Sequence, residues 1–151
     1  MYDAWKAGSR ALLALDENMA REQVKEMCAK VLSNRKPPYS LKGGLYDALV
    51  ATGGDMFLAT NEEAMEAKAL FEQLEGIDIE PAAAVALASL MQCVRERRVE
   101  EDAVIMLNIT GGGIARYKKE FNPVMQKPDL VFPVNPNPEM VKEKVRELIG
   151  K

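Results

Sequence analysis

Histidine is absent from the 151-residue chain, and that absence removes much of the enzyme repertoire. Without imidazole there is no Ser-His-Asp or Cys-His dyad, no His-ligated zinc and no side-chain base that ordinarily titrates near neutrality. Cysteine is nearly absent as well: Cys28 and Cys93 stand far apart and belong to no metal-spaced motif. A zinc site is therefore not expected, and two free thiols in a reducing cytoplasm are. No apolar run reaches the roughly 18 residues of a membrane span, and Tyr2-Asp3-Ala4-Trp5-Lys6 lacks the basic-then-apolar order of a secretory signal. No membrane partner is expected. A net charge of −3 with scattered basic residues leaves no electrostatic footprint for nucleic acid. Any catalysis falls to carboxylates, lysine, tyrosine or a cofactor.

What is present is the composition of one ordinary globular domain, 48% hydrophobic and 28% charged. A chain of this length buries roughly 68–70% of its unfolded surface. The organising stretch runs from Gly76 to Gly113. Pro81 opens an apolar run after Glu80, and proline at the first helical position gives up an N–H that has no helical partner anyway. From Ala82 to Met91 only Ser89 is polar, which predicts a helix covered on both sides. Ala103 to Ile109 is short, rich in branched apolar residues and bounded by acids and glycines, which predicts a parallel strand covered on both faces. In such sheets ligands gather beyond the carboxyl ends of strands. That places Asn108, Thr110 and the Gly111-Gly112-Gly113 loop at a binding edge, with backbone N–H groups free for an anion or a flat ring. A plain tight turn into the next helix is the alternative.

Elsewhere the pattern predicts helices over Tyr2–Leu15 (broken near Gly8), Asp16–Lys30, Leu45–Ala51, Asn61–Leu74, Ile114–Glu120 and Glu139–Ile149. Thr60 and Glu63 form a capping-box pair, and Gly53 and Gly76 supply stops. Short strands are predicted at Asp55–Ala59 and Asp129–Val134, with Cys28–Ser33 as a further candidate. Strands alternating with helices imply right-handed crossovers and an α/β fold, a parallel sheet flanked by helices. Asn34-Arg35-Lys36-Pro37-Pro38-Tyr39-Ser40 is a stiff loop. Its cations, amide and two hydroxyls suit an anionic ligand, or else form a solvated basic turn.

Glu75-Gly76-Ile77-Asp78-Ile79-Glu80-Pro81-Ala82-Ala83-Ala84, followed by Asn108-Ile109-Thr110-Gly111, resembles the carboxyl-terminal part of the fold type II pyridoxal-phosphate enzymes, in the threonine synthase branch. Tyr2 to Arg10 and Asn34 to Ser40 look most like the cysteate synthase family, with threonine synthase as the alternative. The resemblance implies the carboxyl-terminal portion of the large, tryptophan synthase β-like domain over residues 1–151. It implies a part in joining sulfite to O-phospho-L-serine to give L-cysteate and phosphate, a step toward coenzyme M, in enzymes that are commonly dimers. It also implies that the Thr110 hydroxyl bonds the cofactor's pyridine nitrogen beside Gly111, that Glu80 lies on the active-site side, and that Asn34 and Arg35 stand beside the substrate's phosphate. The family's Schiff-base lysine and phosphate-binding loop have no counterpart here, and Lys42 lacks the family's surroundings. The expectation is an incomplete enzyme, inactive alone. A non-catalytic anion-binding domain and a self-associating interaction protein are the competing readings.

Overall fold

The computed structural model describes residues 1–14, 16–34, 36–124 and 126–150, with only the backbone of Glu17. Seven α-helices are present among them: α1 (Tyr2–Lys6), α2 (Glu17–Glu26), α3 (Leu45–Thr52), α4 (Asn61–Glu75), α5 (Pro81–Arg95), α6 (Ile114–Phe121) and α7 (Pro138–Ile149). The chain divides into two compact units, 1–120 and 121–151.

Local signals set the helix ends. The Thr60 hydroxyl accepts from Glu63 N at 3.1 Å while the Glu63 carboxylate accepts from Thr60 N at 2.8 Å, the reciprocal capping expected from their spacing. Gly53 and Gly76 end α3 and α4 in the left-handed region, at φ 64° and 70°, where a side chain would be strained. Pro81 is the first residue of α5. The Asp16 carboxylate caps α2 and the Asn137 amide oxygen caps α7. α1 is shorter than its apolar pattern, because Gly8 turns the chain at φ 66°.

The core of the first unit is the α4/α5 pair. Ala64 and Ala67 on α4 and Ala83, Ala84 and Ala88 on α5 are all buried, and the two helices pack against each other. Phe71 and Ile109 close over Ile79, Ala83 and Ala84. Every residue of α5 from Pro81 to Cys93 is buried or half-buried, as expected of a helix covered on more than one side, and only Val94 and Arg95 at its end are exposed.

A second nucleus joins chain segments far apart in sequence. Tyr39 is fully buried, donates its phenol to Ser9 O at 2.9 Å, and meets Tyr46 edge-on; Tyr46 in turn meets Trp5 edge-on. Asp47 pairs with Arg10 and accepts from Gly43 N at 2.7 Å. Beside this nucleus, Asp55 accepts from Trp5 Nε1 at 2.7 Å, Met56 N at 2.8 Å, Arg98 at 2.8 Å and Lys6 at 3.0 Å. Arg98 foremost, then Trp5, holds the Asp55 carboxyl well below the usual range.

The α/β expectation is wrong for this structure. Among the described residues there is no strand, and the sole β feature is an isolated antiparallel bridge between Ile79 and Gly112. Residues 55–59, 103–109 and 129–134 carry no ladder, and Lys30–Leu32, inside the third strand candidate, is a 3₁₀ turn. A strand exists only through hydrogen bonds to a neighbour, and composition does not supply that neighbour. Val104 is 101% exposed and Met106 92%, so apolar character here marks a surface that would gain from cover. In the second unit, Asn137 caps α7 above Val141 and Val145, both half-buried, while Val131 and Val134 are exposed.

Thr60→Ala is expected to lower stability by about 1 kcal/mol in urea unfolding. Ala84→Leu, which overpacks the helix pair, is expected to cost ~1–3 kcal/mol. Asp55 has a depressed folded-state pKa, so its stabilisation is fully present above its unfolded value of about 3.9 and is lost as pH falls through the folded value. Between about pH 6 and about pH 3, the urea midpoint of Asp55→Asn should therefore fall less steeply than that of the parent. It will not be flat, because Asp47, Glu63 and Asp78 are also held low. Identical slopes would refute the assignment.

Candidate functional site

Three residues at the start of α5 lie against the glycine loop. Glu80 N donates to Gly111 O at 3.0 Å, and Gly113 N donates to Asp78 O at 2.6 Å, on either side of the Ile79–Gly112 bridge. The Asp78 side chain, only 6% exposed, accepts from Ala115 N at 3.0 Å and Arg116 N at 3.3 Å. These are first-turn N–H groups of α6, which a helix leaves without internal partners. The Ala115 bond foremost holds the Asp78 carboxyl below its ordinary value, and the nearby Lys68 ammonium adds to the effect. Lys68 donates to Ile79 O at 2.6 Å.

This geometry explains Gly112. A Cβ there would collide with Asp78 O and stand 3.0 Å from Ile79 Cα, whereas one on Gly111 would make ordinary contact with Glu80 Cγ at 3.4 Å. The missing side chain of Gly112 allows close approach to residues 78 and 79. The expectation that the loop's N–H groups are free for an anion fails at Gly113 and at the start of α6, where Asp78 is already the anion. Glu80 occupies the N-cap position of α5 without a side-chain capping bond and is half-buried.

The structure thus brings Glu80, Thr110 and Gly111 together. Thr110 is exposed and follows residues 103–109, which form neither helix nor strand. A neutral hydroxyl beside a glycine backed by Glu80 fits the pyridine end of pyridoxal phosphate. The N–H groups of Ala115 and Arg116 at the start of α6, beside this cluster, are occupied by Asp78 and offer no cradle for the phosphate end. Among the described residues no group of three or more Cys, Asp or Glu is placed to hold a metal ion.

Asn34 is not part of this cluster. Its side-chain oxygen accepts from Lys36 N at 3.0 Å, and it lines a separate cleft of about 580 Å³ with Leu12, Leu13 and Lys36. Arg35 lies outside the described residues. The two hydroxyls of this loop are committed to backbone carbonyls, Tyr39 to Ser9 O and Ser40 to Arg10 O, so they are not poised for an anion. Lys42 is exposed in the turn before α3. Asp78 and Lys68 went unrecognised in the sequence, because the helix Asp78 caps begins far along the chain and nothing local marks the pairing.

No family model matches the chain. Curated relatives do. It is 54% identical over 131 residues to a cysteate synthase of Methanosarcina mazei, covering 86% of this chain and 32% of the relative. It is 46% identical over 147 residues to a cysteate synthase of Methanosarcina acetivorans, covering 97% and 35%. It is 43% identical over 151 residues to one of Methanocella arvoryzae, covering 99% and 35%. The chain spans about a third of the length of the curated relatives it matches, and over most of its own length it is similar in sequence to cysteate synthases.

Proposed function

We propose that this chain is the carboxyl-terminal, ring-supporting part of a pyridoxal-phosphate-dependent cysteate synthase and is inactive alone. The observation that carries the reading is the 54% identity over 131 residues, which favours cysteate synthase over threonine synthase. The complete protein would join O-phospho-L-serine and sulfite to form L-cysteate and phosphate, a step toward coenzyme M. Pyridoxal phosphate, when bound, supplies the electron sink for that replacement at Cβ. In this chain Thr110 offers a neutral hydroxyl to the ring nitrogen, which leaves the nitrogen unprotonated. Gly111 keeps the surface beside it flat, and Glu80 closes the edge. Asn34 and Arg35 are assigned to the substrate's phosphate side.

The lysine that tethers the cofactor and the loop that holds its phosphate belong to the rest of the protein. That remainder would also cover Val104 and Met106, whose large apolar side chains stand bare. A stand-alone anion sensor is less well supported, because Tyr39, Ser40 and the first amides of α6 are already engaged. Two unpaired cysteines, Cys28 and Cys93, fit a reducing compartment, so the protein is assigned to the cytoplasm. Among the described residues no helix is long and apolar enough to cross a membrane.

The purified chain mixed with pyridoxal phosphate should show no visible-range absorption band after desalting. Co-expression with the remainder of the Methanosarcina mazei enzyme should produce such a band, form cysteate from phosphoserine and sulfite, and slow amide exchange across residues 103–109. A band retained by the chain alone and fixed to one lysine by borohydride would overturn the proposal, as would self-association through that face with no response to the remainder.

A further inference from the structure

We infer that Asp78, backed by Lys68, is a positioning residue that sets where Thr110 and Gly111 stand; the inference rests on the ring-supporting function proposed above. Two strands of argument meet at one buried carboxylate. The first concerns path. From Gly111 to Arg116 the backbone is held at four points by residues 78 and 80: Gly111 O by Glu80 N, Gly113 N by Asp78 O, and the amides of Ala115 and Arg116 by the Asp78 carboxylate. Three of the four belong to Asp78, so the exit of the loop and the first turn of α6 are fixed to one residue.

The second concerns what fixes Asp78. Its neighbour's carbonyl, Ile79 O, accepts the Lys68 ammonium at 2.6 Å from α4, and the same positive charge stabilises the Asp78 carboxylate. Lys68 is part-buried on the helix that carries Ala64 and Ala67 into the core. The latch therefore refers the glycine loop to the α4/α5 pair, which carries five buried alanines of this unit. Thr110 immediately precedes the latched stretch, with Gly111 inside it. A carboxylate accepting two backbone amides is also not replaceable by its amide, because an Asn side chain brings one acceptor and a donor that would face an N–H.

Amide exchange in the isolated chain tests the latch without cofactor. Asp78→Ala, and less strongly Asp78→Asn, should speed exchange at Ala115 and Arg116 by about tenfold or more while α4 and α5 keep their protection, and Gly113, held by the backbone carbonyl that both variants retain, should change less. Lys68→Met should produce a smaller acceleration at the same amides and Lys68→Arg little, which keeps the test decisive should the Asp78 variants fold poorly. In the chain complemented by the remainder of the Methanosarcina mazei enzyme, Asp78→Asn should move the absorption maximum of bound pyridoxal phosphate in the same direction as Thr110→Ala and weaken its retention. Unchanged exchange in the variants would overturn the latch. Faster exchange with an unmoved spectrum, while Thr110→Ala moves it, would overturn the positioning role and leave the proposed function standing. An unmoved spectrum in both variants would remove the ring-nitrogen contact proposed for Thr110 and this inference with it.

Discussion

The packing of α4 against α5 is the constraint on which the rest of the first unit depends. Both helices carry buried alanines, Ala64 and Ala67 on one and Ala83, Ala84 and Ala88 on the other, and a core packed to crystal-like density holds its elements in one register. That register places Lys68 of α4 over the carbonyl of Ile79 and starts α5 where Glu80 meets the glycine loop. The position of the glycine loop is therefore tied to the packing of two helices that precede it in the chain.

Charge works differently in the two halves of that unit. Around Asp55, three donors from Trp5, Lys6 and Arg98 tie the first helix to the segment after α5. Around Asp78, the donors are mostly backbone amides. The first arrangement joins distant segments through long side chains that remain partly wetted, where ion pairing alone contributes little. The second substitutes for the missing partners of a helix start, and its directionality leaves the backbone little freedom.

Helices were legible in the sequence because their signals are local. Thr60 with Glu63, Pro81, Gly53 and Gly76 act within a turn of where they stand, and each marks a boundary found in the structure. The strands were not, because a strand is a relation between segments: Ala103 to Ile109 has the composition of one and no neighbour among the described residues. Tyr39 gave no hint that it would be the most buried large side chain of its loop, since its partner Ser9 lies 30 positions away. Of the candidate site, Glu80 bonds Gly111, the neighbour of Thr110, through their backbones, Asn34 stands apart on another cleft, and the bonds of Asp78 to the start of α6 join positions too far apart in sequence to be legible there.

The sole tryptophan of the chain is Trp5, and its indole N–H is bound to the carboxylate that ties together the first helix and the segment after α5. Indole emission responds to the charge and hydration around that N–H. The chain thus carries its own optical probe at a junction between three distant parts of its sequence, and the colour of that emission reports the integrity of a tertiary contact with no label attached.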